Sequence, residues 1–199
     1  MRGLVLAAAV AAVLVAPVLA QTPGAPAPAA VGPNTWTVDT GHSAAGFSVK
    51  HLLVSTVRGT LGPVKGTVEY DGKSLDSVKA DITIDVNGVN TGNEGRDKDL
   101  KSPNFFDVAQ FPTATFKSKR AIADGAGKFK LIGDLTIHGV TRPITLELDG
   151  TLDGGTFKGS AKTELKITDF GMKVPTLAIL LRVEDRVRTQ LDLVATEQR

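Results

Sequence analysis

The chain has 199 residues, 42% of them hydrophobic, and sets 23 Lys and Arg against 21 Asp and Glu for a net charge of +2. That near balance, with no stretch combining clustered cations and spaced aromatics, argues against nucleic acid as a partner. The absence of Cys removes disulfides, thiolate metal sites, iron–sulfur clusters, thiol catalysis and lipid attachment through cysteine.

In chain order, residues 1–20 read as a secretion signal. Arg2 supplies the positive start, Leu4 to Ala16 is an unbroken apolar run, Pro17 breaks it, and Val18-Leu19-Ala20 suits cleavage after Ala20. The alternative is a retained anchor, because the apolar stretch approaches the roughly 18 residues that cross a bilayer. Residues 21–33 carry no charge and no large side chain, the composition of a semi-extended Pro/Ala-rich linker. The folded domain is then expected over 34–199, long enough to build a core without staples.

After residue 35 the hydrophobic period is two. Val78, Ala80, Ile82, Ile84 and Val86 alternate with Lys79, Asp81, Thr83 and Asp85. Residues 95–110 break the period, mixing charges with Leu100, Phe105 and Phe106, and predict a short helix plus turn. Alternation returns with Phe129, Leu131, Leu135 and Ile137, then Ile144, Leu146 and Leu148. It continues with Phe157, Ala161, Leu165 and Ile167, and ends with Val183, Val187, Leu191 and Leu193. Each run gives a strand with one dry and one wet face, the pattern of antiparallel sheets. Turn residues Asp71-Gly72, Asp124-Gly125, Gly139 and Asp153-Gly154-Gly155 fall between the runs.

Several strands read as ten residues or longer, and they can stack as a sandwich or close into a barrel. Closure removes exposed edges, so an all-β antiparallel barrel is expected. Small inward residues (Ala45, Gly133, Gly159, Ala161 and Thr163) leave room for a ligand or simply accommodate sheet coiling. Residues 170–181, apolar and uncharged after Lys173, read as a plug at the barrel end, a lid over its mouth, or a buried loop.

Candidate chemistry is sparse. His42 and His51 are nine positions apart and point to opposite sides of one straight strand, so with His138 they make a poor metal site. Gly41-His42-Ser43-Ala44-Ala45 lacks the second Gly and the strand-to-helix turn of a nucleophile elbow. The Arg96-Asp97 charge cluster reads as a solvated helix face, or as a polar rim where Arg meets a head group. No cofactor is implied.

Taken in order, several segments resemble the YceI family. They are Trp36 to Ser43, Phe47 to His51, Val57 to Leu61, Arg96-Asp97 through Leu100 to Val108, Phe111 to Ser118, Gly133 to Pro143, and Asp169-Phe170-Gly171-Met172. The resemblance implies an eight-stranded, lipocalin-like antiparallel barrel with a short helix and loop plug. It also implies a periplasmic, non-enzymatic protein that holds a polyprenyl lipid or isoprenoid quinone in an apolar pore. Transient contact with a membrane or membrane protein, and a homodimer, are compatible with it. The expected pore and rim residues are Ala45, Phe47, Val49, Arg96, Leu100, Phe105, Phe106, Phe116, Leu135, Ala161, Phe170 and Leu177. Two positions depart from the family pattern. Asp99 stands where a His is usual, and Ile167 where an Arg is usual, which implies a less anionic head group. A quinone-presenting electron-transfer accessory and a solid structural β-domain are the competing readings.

Overall fold

The computed structural model describes residues 34–51, 55–173 and 183–198. The leader and linker expected over 1–20 and 21–33 lie outside these residues, as does most of the apolar stretch 170–181. Ten strands follow in chain order: β1 Asn34–Val38, β2 Ala44–His51, β3 Ser55–Thr60, β4 Val64–Tyr70 and β5 Lys79–Asp85, then, after helix α1 Glu94–Lys101, β6 Thr113–Ala123, β7 Lys128–Ile137, β8 Val140–Asp153, β9 Thr156–Lys166 and β10 Val183–Glu197. All pair antiparallel in the order β1-β4-β5-β6-β7-β8-β9-β10, and β10 pairs back to β1 to close the ring.

The ten segments make eight staves. Farther along β10, Leu191 opposes Ala45 and Val187 opposes Val49, so β1 and β2 lie end to end beside one long strand. β3 and β4 form the second stave in the same way, paired to β2 and β1 respectively.

Side chains fix both breaks. At the first, Asp39 Oδ1 accepts the N–H groups of Gly41 (2.9 Å) and His42 (3.2 Å), while its Oδ2 lies 2.8 Å from His42 Nδ1. Thr40 donates its hydroxyl to the Val64 carbonyl at 2.9 Å. Ser43 Oγ donates to the Val194 carbonyl and accepts the Val194 N–H, at 3.2 and 3.0 Å. The stave therefore turns a corner without leaving β10 unpaired. At the second break, Pro63 sits where no ladder donor is required, and its carbonyl accepts the Asp85 N–H at 3.0 Å.

Apolar side chains alternate into the lumen as the period predicts. The register slips between Val183 and Val187 of β10 against β2, and again between Ser118 and Arg120, where a bulge shifts the β6–β7 pairing. Phe116 and Ala121 are five residues apart, yet both face inward because the extra residue reverses the parity. Gly133 is not empty space. A Cβ there would lie 2.3 Å from the Lys117 carbonyl oxygen and 2.6 Å from the Phe116 ring, so the glycine admits the ring across the strand. Gly150 and Gly159 do the same for Phe157, each with its Cβ position 2.7 Å from the ring.

The barrel has two distinct ends. The upper end carries the connections 71–78, 124–127 and 153–155 and the chain's exit at Asn34. The lower end carries α1, the His138-Gly139 turn and the 3-10 turn Ile167–Phe170.

Candidate functional site

Two concavities stand out among the described residues, and the larger of them is not enclosed. It has a volume of 870 Å³ and lies along the outer faces of β8, β9, β10, β2 and β3, among Glu147, Lys162, Glu164, Arg188 and Arg58. The smaller, 320 Å³, occupies the barrel axis. Its walls are Ile144, Leu146 and Leu148 of β8, Phe129, Leu131, Leu135 and Ile137 of β7, Ala114, Phe116 and Ala121 of β6, and Ala80, Ile82 and Ile84 of β5. Leu191, Leu193, Ala161 and Ala45 complete the circuit.

Along β8 the lining runs from Ile144 to Leu152. Those eight steps cover about 27 Å of strand and, at a tilt near 40°, about 20 Å of barrel axis. No Asp, Glu, Lys, Arg or His lines the cavity among the described residues, and its one titratable side chain is Tyr70. Its other polar side chains are Trp36, Thr163 and Thr189; Gln190 also borders it, but its side-chain amide donates to Asp192 on the outer face at 2.9 Å. The Trp36 indole N–H is used on the Gly155 carbonyl (3.1 Å), and Thr189 donates to the Thr163 carbonyl (3.3 Å).

The lower end is packed. Phe170 is 2% exposed and joins the core with Leu165 and Met172, below the last lining residues. His138 Nδ1 donates to the Phe170 carbonyl at 3.2 Å, Phe111 stacks edge-on against the His138 ring, and Arg142 Nε donates to the Asp169 carbonyl at 2.9 Å. At the upper end Leu152 lines the cavity and is still 51% exposed, so the lumen reaches solvent there.

The expected site residues divide along these lines. Ala45, Phe116, Leu135 and Ala161 meet on the cavity wall. Phe170 forms the floor beneath it. Phe47 lies over Gly59 beside Thr91, with its ring 2.5 Å from where a Gly59 Cβ would stand. Val49, Leu100, Phe105 and Phe106 are half-buried and off the cavity wall. Leu177 lies outside the described residues.

Arg96 is committed to its own loop. Its Nε donates to Thr91 Oγ1 at 2.8 Å and its Nη2 to the Thr91 carbonyl at 3.1 Å. Asp97 Oδ1 accepts both the N–H and the hydroxyl of Thr91, at 2.8 and 2.6 Å. The charge cluster thus clamps a turn at the helix N-terminus, where Asn93 caps the Arg96 N–H. Asp99 is exposed on α1, and Ile167 packs against the core.

Sequence reasoning placed Val78 on a dry strand face but missed the rest of the upper wall, Trp36, Val68, Tyr70 and Leu75. The alternation Val64, Val68, Tyr70 was available as a signal, but Gly66 interrupts it.

A family profile described as the YceI-like domain matches residues 36–195. The chain belongs to the YceI family. It is 38% identical to the protein YceI of Salmonella newport over 137 residues, 66% of this chain and 71% of that protein. Among solved structures it resembles BcnA of Burkholderia cenocepacia, with a TM-score of 0.74 and 24% identity, over 80% of this chain and 99% of that one. It also resembles a polyisoprenoid-binding domain from Saccharophagus degradans implicated in plant cell wall breakdown, with a TM-score of 0.65 and 18% identity, over 82% and 98%. These two likenesses bear out the eight-stranded lipocalin-like barrel as the fold.

Proposed function

We propose that this YceI-family protein binds a long-chain isoprenoid lipid in its lumen and carries it through the periplasm, without catalysing a reaction on it. The carrying observation is the axial cavity, lined mainly by apolar side chains and free of charged ones among the described residues. Its proportions favour a single tail. A volume of 320 Å³ drawn out over about 20 Å of axis makes a narrow channel, suited to one extended chain rather than to the paired tails of a bilayer lipid.

Affinity comes from burial. At about 0.8 kcal/mol per buried methylene, a five-carbon prenyl unit contributes about 4 kcal/mol before the costs of ordering and association. Catalysis lacks its usual means, because acid–base chemistry needs a titratable group beside the reacting atom. Tyr70 is the one such group on the wall among the described residues. The family membership and the polyisoprenoid-binding neighbour support the ligand class, and the leader-like residues 1–20 support export. A quinone-presenting accessory would use the same cavity and differ only in cargo.

Native mass spectrometry of the mature protein from its own host, followed by organic extraction, tests the reading. A stoichiometric isoprenoid is expected. A bare protein that takes up no added isoprenoid would refute carriage and leave a structural barrel.

A further inference from the structure

We propose that the upper end of the barrel is the head-group end, and that it takes an uncharged head, a hydroxyl or a quinone carbonyl, against the Tyr70 hydroxyl. The proposal rests on the isoprenoid reading and adds to it both the direction in which the lipid lies and the chemistry of its head.

Direction follows from the two ends. Below the lining residues, Leu165, Phe170 and Met172 are buried, which leaves no room there among the described residues for a hydrated head. Above, the cavity runs out past half-exposed Leu152 between the connections of the upper end. An amphipathic chain therefore enters tail-first from above and leaves its polar terminus at that mouth, where water remains within reach.

Head-group chemistry follows from what surrounds the mouth. Tyr70 shares its inward face with Trp36, their ring centroids 6.4 Å apart, and Leu75 and Val78 adjoin them on the wall. Its hydroxyl makes no hydrogen bond to any described residue, and a phenol can both donate to a carbonyl and accept from an alcohol. The Trp36 N–H is already used on Gly155.

Nothing near the mouth matches a phosphate. The connections 71–78, 124–127 and 153–155 carry Asp71, Asp76, Asp124 and Asp153 against Lys73; on the adjoining strands Lys79 is paired with Glu69 (3.5 Å) and Lys130 with Asp124 (3.0 Å), and none of Lys79, Lys128, Lys130 and Lys158 lines the cavity. Backbone N–H donors from Ser74 and Lys73 hold the Asp71 carboxyl below its ordinary range, so it is anionic at neutral pH. Phosphate recognition uses convergent Arg or Lys. The two arginines that hold the lower-end turns, Arg96 and Arg142, both donate to chain carbonyls there. A diphosphate seated at the mouth would face carboxylates, with no cation on the cavity wall among the described residues.

Trp36 is the only Trp in the chain, so its fluorescence reports on that mouth alone. The delipidated protein is titrated with three probes sharing one two-unit prenyl tail: the benzoquinone, the free alcohol and the diphosphate. Binding is counted by native mass spectrometry and head-group position is read from Trp36 emission. The quinone and the alcohol are expected to bind stoichiometrically, the quinone quenching Trp36 by contact and the alcohol leaving it bright. The diphosphate is expected to bind at least fivefold more weakly, roughly the effect of like charges a few ångströms apart in contact with water.

Tyr70→Phe should weaken the alcohol about fivefold, the effect of one hydrogen bond, with the fold unchanged by circular dichroism. Thr163→Val, farther down the cavity, should not. Stoichiometric quinone binding without quenching would overturn the direction. Equal affinity for the diphosphate, or sensitivity at Thr163 in place of Tyr70, would overturn the head-group assignment. Failure of all three probes to bind would overturn the isoprenoid reading itself.

Discussion

Ala161 offers the sharpest test of an open lumen. It is 4% exposed, sits mid-strand between Leu148 and Leu191 in the ladder, and lines the axial cavity. In Ala161→Phe a ring replaces a hydrogen and points into space that the structure leaves vacant. A ring that displaces one prenyl unit removes up to about 4 kcal/mol of burial at 0.8 kcal/mol per methylene, of which relief of ordering returns a part. A net loss of about 2 to 4 kcal/mol weakens isoprenoid binding roughly 30- to 700-fold. Stability should move the other way, because filling a cavity typically adds about 0.5 to 2 kcal/mol. Isoprenoid titration and urea denaturation of the same delipidated sample give both numbers. Affinity within threefold of the parent would refute the cavity as the binding site. A destabilisation beyond about 2 kcal/mol would show that the space at Ala161 is already filled.

Other outcomes follow from the same geometry. Gly133→Ala should cost about 1 to 3 kcal/mol in urea, because its methyl would collide with the Lys117 carbonyl and the Phe116 ring. Arg96→Ala removes two hydrogen bonds to Thr91 and should lower stability by about 1 to 3 kcal/mol while leaving isoprenoid affinity unchanged, and weaker binding would return Arg96 to the site. Three carboxyls are held below their ordinary values: Asp39 by its hydrogen bond from His42, Asp71 by the Ser74 and Lys73 N–H groups, and Glu164 by Arg186. Each stabilises the fold above its ordinary value and loses that contribution as pH falls through the depressed one. Denaturation midpoints should therefore drop below about pH 5, and Asp71→Asn should flatten the acid limb.

The long strands were legible because burial on one face imposes alternation that no turn interrupts. Phe129 to Ile137 and Phe157 to Leu165 show it most clearly. The helix was legible from the loss of that period at 95–110. The broken first stave was not, since its corner depends on Ser43 meeting Val194 and Thr40 meeting Val64, contacts between residues far apart in the chain. Parity at Phe116 and Ala121 was hidden by the bulge between them. Inward glycines proved ambiguous in a specific way. Gly133 and Gly159 look like spare volume until Phe116 and Phe157 are seen to fill it from within the sheet. Of the site, Ala45, Phe116, Leu135 and Ala161 were readable as inward positions on strands. For Arg96 the sequence leaves a solvated helix face and a polar rim both open, because a charged residue type does not reveal that its partner is a threonine five positions away.

The strand that closes the ring is also the last of the described strands to be made. β10, 15 residues long, supplies the partner edge for β9, for β2 and for β1, and Trp36 waits for Glu197. Joining ends some 160 residues apart carries a loop-closure cost of about 4.5 kcal/mol beyond a constant, which only the completed ladder offsets. Folding should accordingly be slow and late, in the manner of domains dominated by distant pairings. Until β10 docks, the open sheet presents two unpaired edges and an apolar inner face, so a growing or unfolded chain is at its most vulnerable to self-association. A chain truncated before Val183 should fail to fold at all rather than fold as a leaky barrel.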